Sequence, residues 1–159
     1  MNKLSRFILI LFVTLGVAIF SGEDILDLFL EPSDQTVGHS NIEETGHYTS
    51  VDEVSAYIAH YQTLPTNYLT KDEAYDLGWE PDEGNLHDVA PGMSIGGDRF
   101  YNREGRLPDE ASLTYYEADI DYTGGYRNEK RLVYSNDGTI YYTEDHYQSF
   151  REIDMGETE

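Results

Sequence analysis

In Tyr115-Tyr-Glu-Ala-Asp119 two carboxylates alternate with apolar residues. In an extended chain Tyr115, Glu117 and Asp119 share one face, and Tyr116, Ala118 and Ile120 take the other. Arg127, Lys130 and Arg131 follow, a large share of the ten Lys and Arg in the chain. If their strand lies beside the acidic one, a carboxylate can orient the guanidinium groups and leave other donors for a phosphate. The same residues also read as surface acids on a solvated sheet face and as structural ion pairs. Of five histidines, only His146, in Thr143-Glu-Asp-His-Tyr-Gln-Ser-Phe150, follows directly on a predicted strand. A lone histidine is more often structural. Set opposite Glu117 across a phosphodiester, however, it would supply the acid to that residue's base. No two histidines have zinc spacing and cysteine is absent, so no transition-metal site is expected. The acidic run Glu80–Asp88 lacks the ligand spacing of an EF-hand loop.

The elements that must position these groups change character along the chain. Ser50-Val-Asp-Glu53 predicts a capping box in which Glu53 reaches back to the serine amide; Val54, Tyr57, Ile58 and Tyr61 then recur at helical spacing up to Pro65. Thr70-Lys-Asp-Glu73 repeats the device, with Ala74 and Leu77 on the inner face and Gly78 as the stop. A short third helix is expected at Leu86 to Val89, before Pro91-Gly92. After Gly97 the period becomes two, predicting strands at Arg99 to Asn102, Thr114 to Ile120, Arg131 to Tyr134 and Ile140 to Glu144, the last pair joined through Asp137-Gly138. Helices followed by an antiparallel sheet make an α+β fold.

The length, 159 residues, suits one domain, which without cysteine relies on packing and hydrogen bonds. A net charge of -21 argues against broad electrostatic capture of nucleic acid, so a polyanionic substrate would need a local positive pocket. Residues 1–22 carry Lys3 and Arg6 before the apolar run Phe7 to Phe20, which has signal-peptide length. Cleavage after Ala18, Ser21 or Gly22 would export the chain; an uncleaved membrane anchor is the alternative. Residues 23–47 are acidic, with little periodic apolar surface, and are expected to be a linker or pro-segment. The folded domain is expected over 48–159, where eight Lys or Arg face 24 Asp or Glu.

Four segments, YIAHYQTLPTNYLTKDEAYDLGW, GNLHDVAPGMSIGGDRFYNREGRLP, YYEADIDYTGGYRNEKRLVYS and TEDHYQSF, resemble in order and spacing the barnase-type bacterial guanyl-preferring ribonucleases. The resemblance runs from about Val51 to Ile153. It implies N-terminal helices packed on a twisted antiparallel sheet, and RNA cleavage that needs neither metal nor cofactor. Glu117 matches the general base and His146 the general acid. Lys71, Arg127 and Arg131 match the cations that hold the scissile phosphate, and Asp119 the structural partner of the arginines. Tyr147 matches an aromatic shaping the site, and Phe100, Tyr101, Asn102, Arg103 and Glu104 the guanine loop. Tyr101 stands where the family commonly has a small polar residue. The expected substrate is RNA and never DNA, because the nucleophile is the 2′-hydroxyl. The expected state is a monomer, and the resemblance also implies a barstar-like protein inhibitor as a partner. A non-catalytic binding module on the same fold, using its acidic face for a basic protein, is the competing expectation.

Overall fold

The computed structural model describes residues 42–156. The expected leader, most of the acidic segment with His39, and the last three residues lie outside the described residues.

The described residues form three short helices and a six-stranded sheet, whose first strand falls between the first two helices. Helix α1 spans Val51–Tyr61, α2 Lys71–Asp76 and α3 Leu86–Val89. The strands are β1 Tyr68–Leu69, β2 Ser94–Phe100, β3 Tyr115–Asp119, β4 Arg131–Ser135, β5 Ile140–Thr143 and β6 Arg151–Glu152, in that spatial order. β1 runs parallel to β2 and every later pair is antiparallel. The fold is α+β, as the change of period predicts, but the sheet carries two short strands that local pattern does not announce.

Thr70 forms a complete capping box: its Oγ1 accepts from the Glu73 amide and Glu73 accepts from the Thr70 amide. This box matters for chemistry because it starts α2 at Lys71. Gly78, at φ +92°, ends that helix in the left-handed region, where a side chain would be strained. Leu77 is half exposed, contrary to its expected inner placement, because the helix stops at Asp76 and turns it outward. At Ser50 the box is incomplete. The hydroxyl accepts from the Glu53 amide, but Glu53 binds that hydroxyl rather than the serine amide. The described segment before Tyr48 lies against α1, with Tyr57 and Tyr61 donating to the carbonyls of Glu44 and Ile42.

The sheet separates two environments. On one face Val54 and Ile58 of α1 pack on Ile120, Leu132, Ile140 and Tyr142, all buried. Burying side chains of this size stabilises by roughly 1.5–3 kcal/mol each. Opposite them, Leu107, Tyr115 and Val133 form a smaller cluster with Phe100, Tyr147 and Phe150. Val133 pairs with Glu117 and Arg131 with Asp119, so the predicted acidic face and the arginine strand do meet, on this second side. Gly97 is the hinge of the arrangement. Gly96 pairs with Ala118 and Asp98 with Glu117, so Gly97 is a bulge at φ +94°, and it turns Asp98 toward the same face as Glu117.

Candidate active site

The site is built upward from β3. Glu117 is 8% exposed and Asp119 only 1%, so neither belongs to a solvated face. Burial without partners would drive such carboxylates neutral, and each has its partners. Lys71 Nζ lies 2.5 Å from Glu117 Oε1, and the Tyr147 hydroxyl donates to Oε2 at 2.5 Å. Burial opposes the Glu117 charge, but the bonds from Lys71 and Tyr147, with the positive charges of Lys71 and Arg127, outweigh it and lower the pKa below the ordinary glutamate value. The group is therefore an anion in a dry setting, held ready to take a proton.

Asp119 organises the cations. Arg127 donates to both of its oxygens, from Nε and Nη2, at 2.6 Å each. Arg131 Nε sits 2.9 Å from Oδ1 in an ion pair whose angle falls short of a hydrogen bond, and its Nη1 donates to the carbonyls of Asn128 and Lys130. Burial works against the Arg127 charge, yet Asp119 raises its pKa, so the guanidinium stays charged. Arg127 also lies over the ring of Trp79 at 5.8 Å, which fixes its plane. Each arginine thus commits about two of its five N–H donors to hydrogen bonds within the fold. Among the described residues no protein acceptor takes a bond from Arg127 Nη1 or Arg131 Nη2, the donors left for an incoming anion.

His146 is exposed and sits at the edge of this floor, its ring 4.9 Å from that of Tyr147, the residue bonded to Glu117. Its presentation is the most strained part of the site. His146 and Tyr147 are consecutive residues at φ +54° and +70°, a conformation costing roughly 1–3 kcal/mol for a side chain that is not glycine. The surrounding loop pins them. Thr143 Oγ1 accepts from the Tyr147 amide, Glu129 O from the His146 amide, and Asp145 from the Gln148 and Ser149 amides and the hydroxyls of Thr143 and Ser149. Bonds from Ser149, then Thr143 and Gln148, hold the Asp145 pKa down at about 2.

The loop from Phe100 to Glu104 flanks the same face. The Phe100 ring lies 5.2 Å from Tyr147. Asn102, at φ +43°, spends its side chain on closure, donating to Leu107 O and accepting from Leu107 N, so its contribution is to loop shape. Tyr101, Arg103 and Glu104 are exposed. Arg106 Nη1 donates to Gln148 O at 2.6 Å, tying this loop to the one that carries His146.

Of the sequence-predicted residues, Lys71, Glu117 and Tyr147 form one bonded group and Asp119, Arg127 and Arg131 a second beside it on the same sheet face, with Phe100 and His146 next to the first through the Tyr147 ring. Sequence reasoning passed over Asp98, which accepts from the Lys71 amide at 3.0 Å and lies 4.0 Å from its Nζ. It also passed over Thr143, Asp145 and Arg106. The signal for Asp98 was the Gly96-Gly97 bulge, and for Asp145 the Thr-x-Asp-x-x-x-Ser run of short polar side chains that bond nearby amides.

A buried carboxylate held anionic, two anchored guanidinium groups with free donors and an exposed histidine at the rim make an arrangement that can take up an anion. A ribonuclease family model matches residues 51–154. A ribonuclease of Bacillus intermedius is 43% identical over 162 residues, 96% of this chain and 99% of its own length. One of Heyndrickxia coagulans is 56% identical over 102 residues, 64% of this chain and 94% of its own length. Guanyl-specific ribonuclease St of Saccharopolyspora erythraea is 47% identical over 53 residues, 33% of this chain and 52% of its own. The chain belongs to the ribonuclease family, as a barnase-type microbial ribonuclease.

Proposed function

We propose that this ribonuclease is an exported enzyme cleaving single-stranded RNA after guanosine, by metal-independent transesterification and then hydrolysis. The observation that carries the mechanism is Glu117, buried and yet held anionic by Lys71 and Tyr147. Its carboxylate takes the proton of the ribose 2′-hydroxyl. The resulting oxygen attacks phosphorus, the bond to the 5′-oxygen breaks, and His146 protonates that leaving oxygen. The product is a 2′,3′-cyclic phosphate. In the second step His146, now neutral, activates water, and Glu117 returns a proton to the 2′-oxygen.

Lys71 and the free donors of Arg127 and Arg131 oppose the charge that grows on the phosphoryl oxygens between base and acid. Because Asp119 already fixes both guanidinium groups, little reorganisation is needed when that charge develops. DNA lacks the nucleophile and can only bind. For the base, the Glu104 carboxylate can accept from guanine N1 and its exocyclic amine, a donor pattern adenine does not offer. The guanyl-specific Saccharopolyspora relative supports this preference. Export rests on the leader sequence, and a protein inhibitor and a monomeric state are part of the same proposal.

The test is the purified domain with GpA and ApA in EDTA. Cyclic guanosine phosphate from GpA, and far slower release from ApA, is the expected result. No product from either, or equal rates on both, would contradict the reading.

A further inference from the structure

Tyr101 is unusual in both its exposure and its company. It is 64% exposed, and the guanidinium groups of Arg99 and Arg103 lie 5.3 and 5.5 Å from its ring centroid. In a domain where 24 carboxylates face eight cations, neither arginine is in an ion pair among the described residues. Both converge on an exposed ring instead.

The placement is at the edge of the catalytic face, beyond Phe100 and Tyr115, where the loop leaves the strand. Arg99 pairs with Tyr116, so it leaves the sheet on the side opposite Glu117. A cleft lies against the ring, lined by Arg99, Phe100, Tyr101, Leu113 and Tyr115, with Asp109 and Glu110 also in its wall. Tyr101 is fixed from below, because its neighbour Asn102 is locked to Leu107. An exposed ring flanked by guanidinium groups suits single-stranded nucleic acid: the ring stacks on a base and the cations meet the phosphates on either side.

We propose that Tyr101, Arg99 and Arg103 form a separate subsite for a nucleobase neighbouring the guanosine in a single RNA strand. The proposal rests on the reading of this chain as an RNA-cleaving enzyme, and it adds a preference for longer substrates. Local stacking of the two arginines on Tyr101 would otherwise have no ligand, and the probes separate the two cases.

Binding is measured with two uncleavable probes, the dinucleotide dGpA and a single-stranded oligodeoxyribonucleotide with three deoxyadenosines on each side of one dG, since neither holds a 2′-hydroxyl beside an internucleotide phosphate. Wild type, Tyr101→Ser, Tyr101→Trp and Arg99→Ala are compared, with circular dichroism as the folding control. Tyr101→Ser should weaken the longer probe about tenfold, within the range for loss of one stacked base, and clearly more than it weakens dGpA. Tyr101→Trp should restore the longer probe, and Arg99→Ala should weaken it. Equal loss on both probes would mean that Tyr101 only shapes the guanine loop, and no loss on the longer one would mean that no base stacks there. Either result overturns the subsite. A wild type that binds an all-deoxyadenosine strand as tightly as the dG strand, still through Tyr101, would sink the guanine reading and leave the subsite standing.

Discussion

The floor of the site and the loop that carries His146 hold their groups by opposite means. On the floor, Glu117 and Asp119 are buried and each is bound by cations or donors from other elements, α2, β4 and the segment before β4. In the loop, His146 is exposed, its backbone is left-handed, and its restraints come almost wholly from residues 143–149. A charge that must stay put in a dry place needs long-range partners, because an uncompensated one would disrupt the fold. A group that must meet solvent and substrate can be aimed by backbone strain and short-range hydrogen bonds.

The contrast predicts where mutations will register. Asp119→Ala should have the largest effect on stability, about 3–5 kcal/mol in urea unfolding, because it leaves the buried Arg131 and the part-buried Arg127 without their shared anion. A loss under about 1 kcal/mol would show that the floor is not the cross-linked unit described. Asp145→Ala should leave the floor intact and reduce kcat by about tenfold, as misaligned groups commonly do, with little change in KM. Its stability effect should depend on acidity. The folded pKa of about 2 lies below the ordinary aspartate value, so the stabilisation is present above that ordinary value and is lost as pH falls toward 2. Wild type and variant should therefore converge in stability between about pH 4 and pH 2. Curves that stay parallel would remove Asp145 from the account. Tyr147→Phe is the mildest change. It deletes a donor that favours the ionised carboxylate, so the acidic limb of kcat/KM should move to higher pH, and an unmoved limb would disconnect Tyr147 from Glu117.

Alternation alone placed Glu117 and Asp119 on one face, and Asp137-Gly138 marked the β4–β5 turn; both involve only neighbours in the chain. α3 was legible at Leu86 to Val89 for the same reason, bounded by Gly84 and Pro91-Gly92. β1 and β6 were not, since two-residue strands exist only through partners distant in sequence. β2 begins at Ser94 rather than Arg99. Its Gly96-Gly97 pair reads as a breaker, yet a Cβ at Gly96 would lie 2.7 Å from the Tyr68 ring, so close packing requires a glycine within the strand. In the site, the residue types pointed to the floor, and the resemblance supplied the roles. The bond from Tyr147 to Glu117 and the Asp145 cage depended on loop conformation that local periodicity does not carry.

The central claim is the division of labour between a base on the floor and an acid in the loop. The pH dependence of kcat/KM for GpA, in wild type, Glu117→Gln and His146→Ala, tests it most directly. A bell-shaped wild-type profile is expected, with the acidic limb lost in Glu117→Gln, the alkaline limb lost in His146→Ala, and each rate down by about 10²–10⁴-fold. Variants that keep both limbs and near wild-type rates would contradict it.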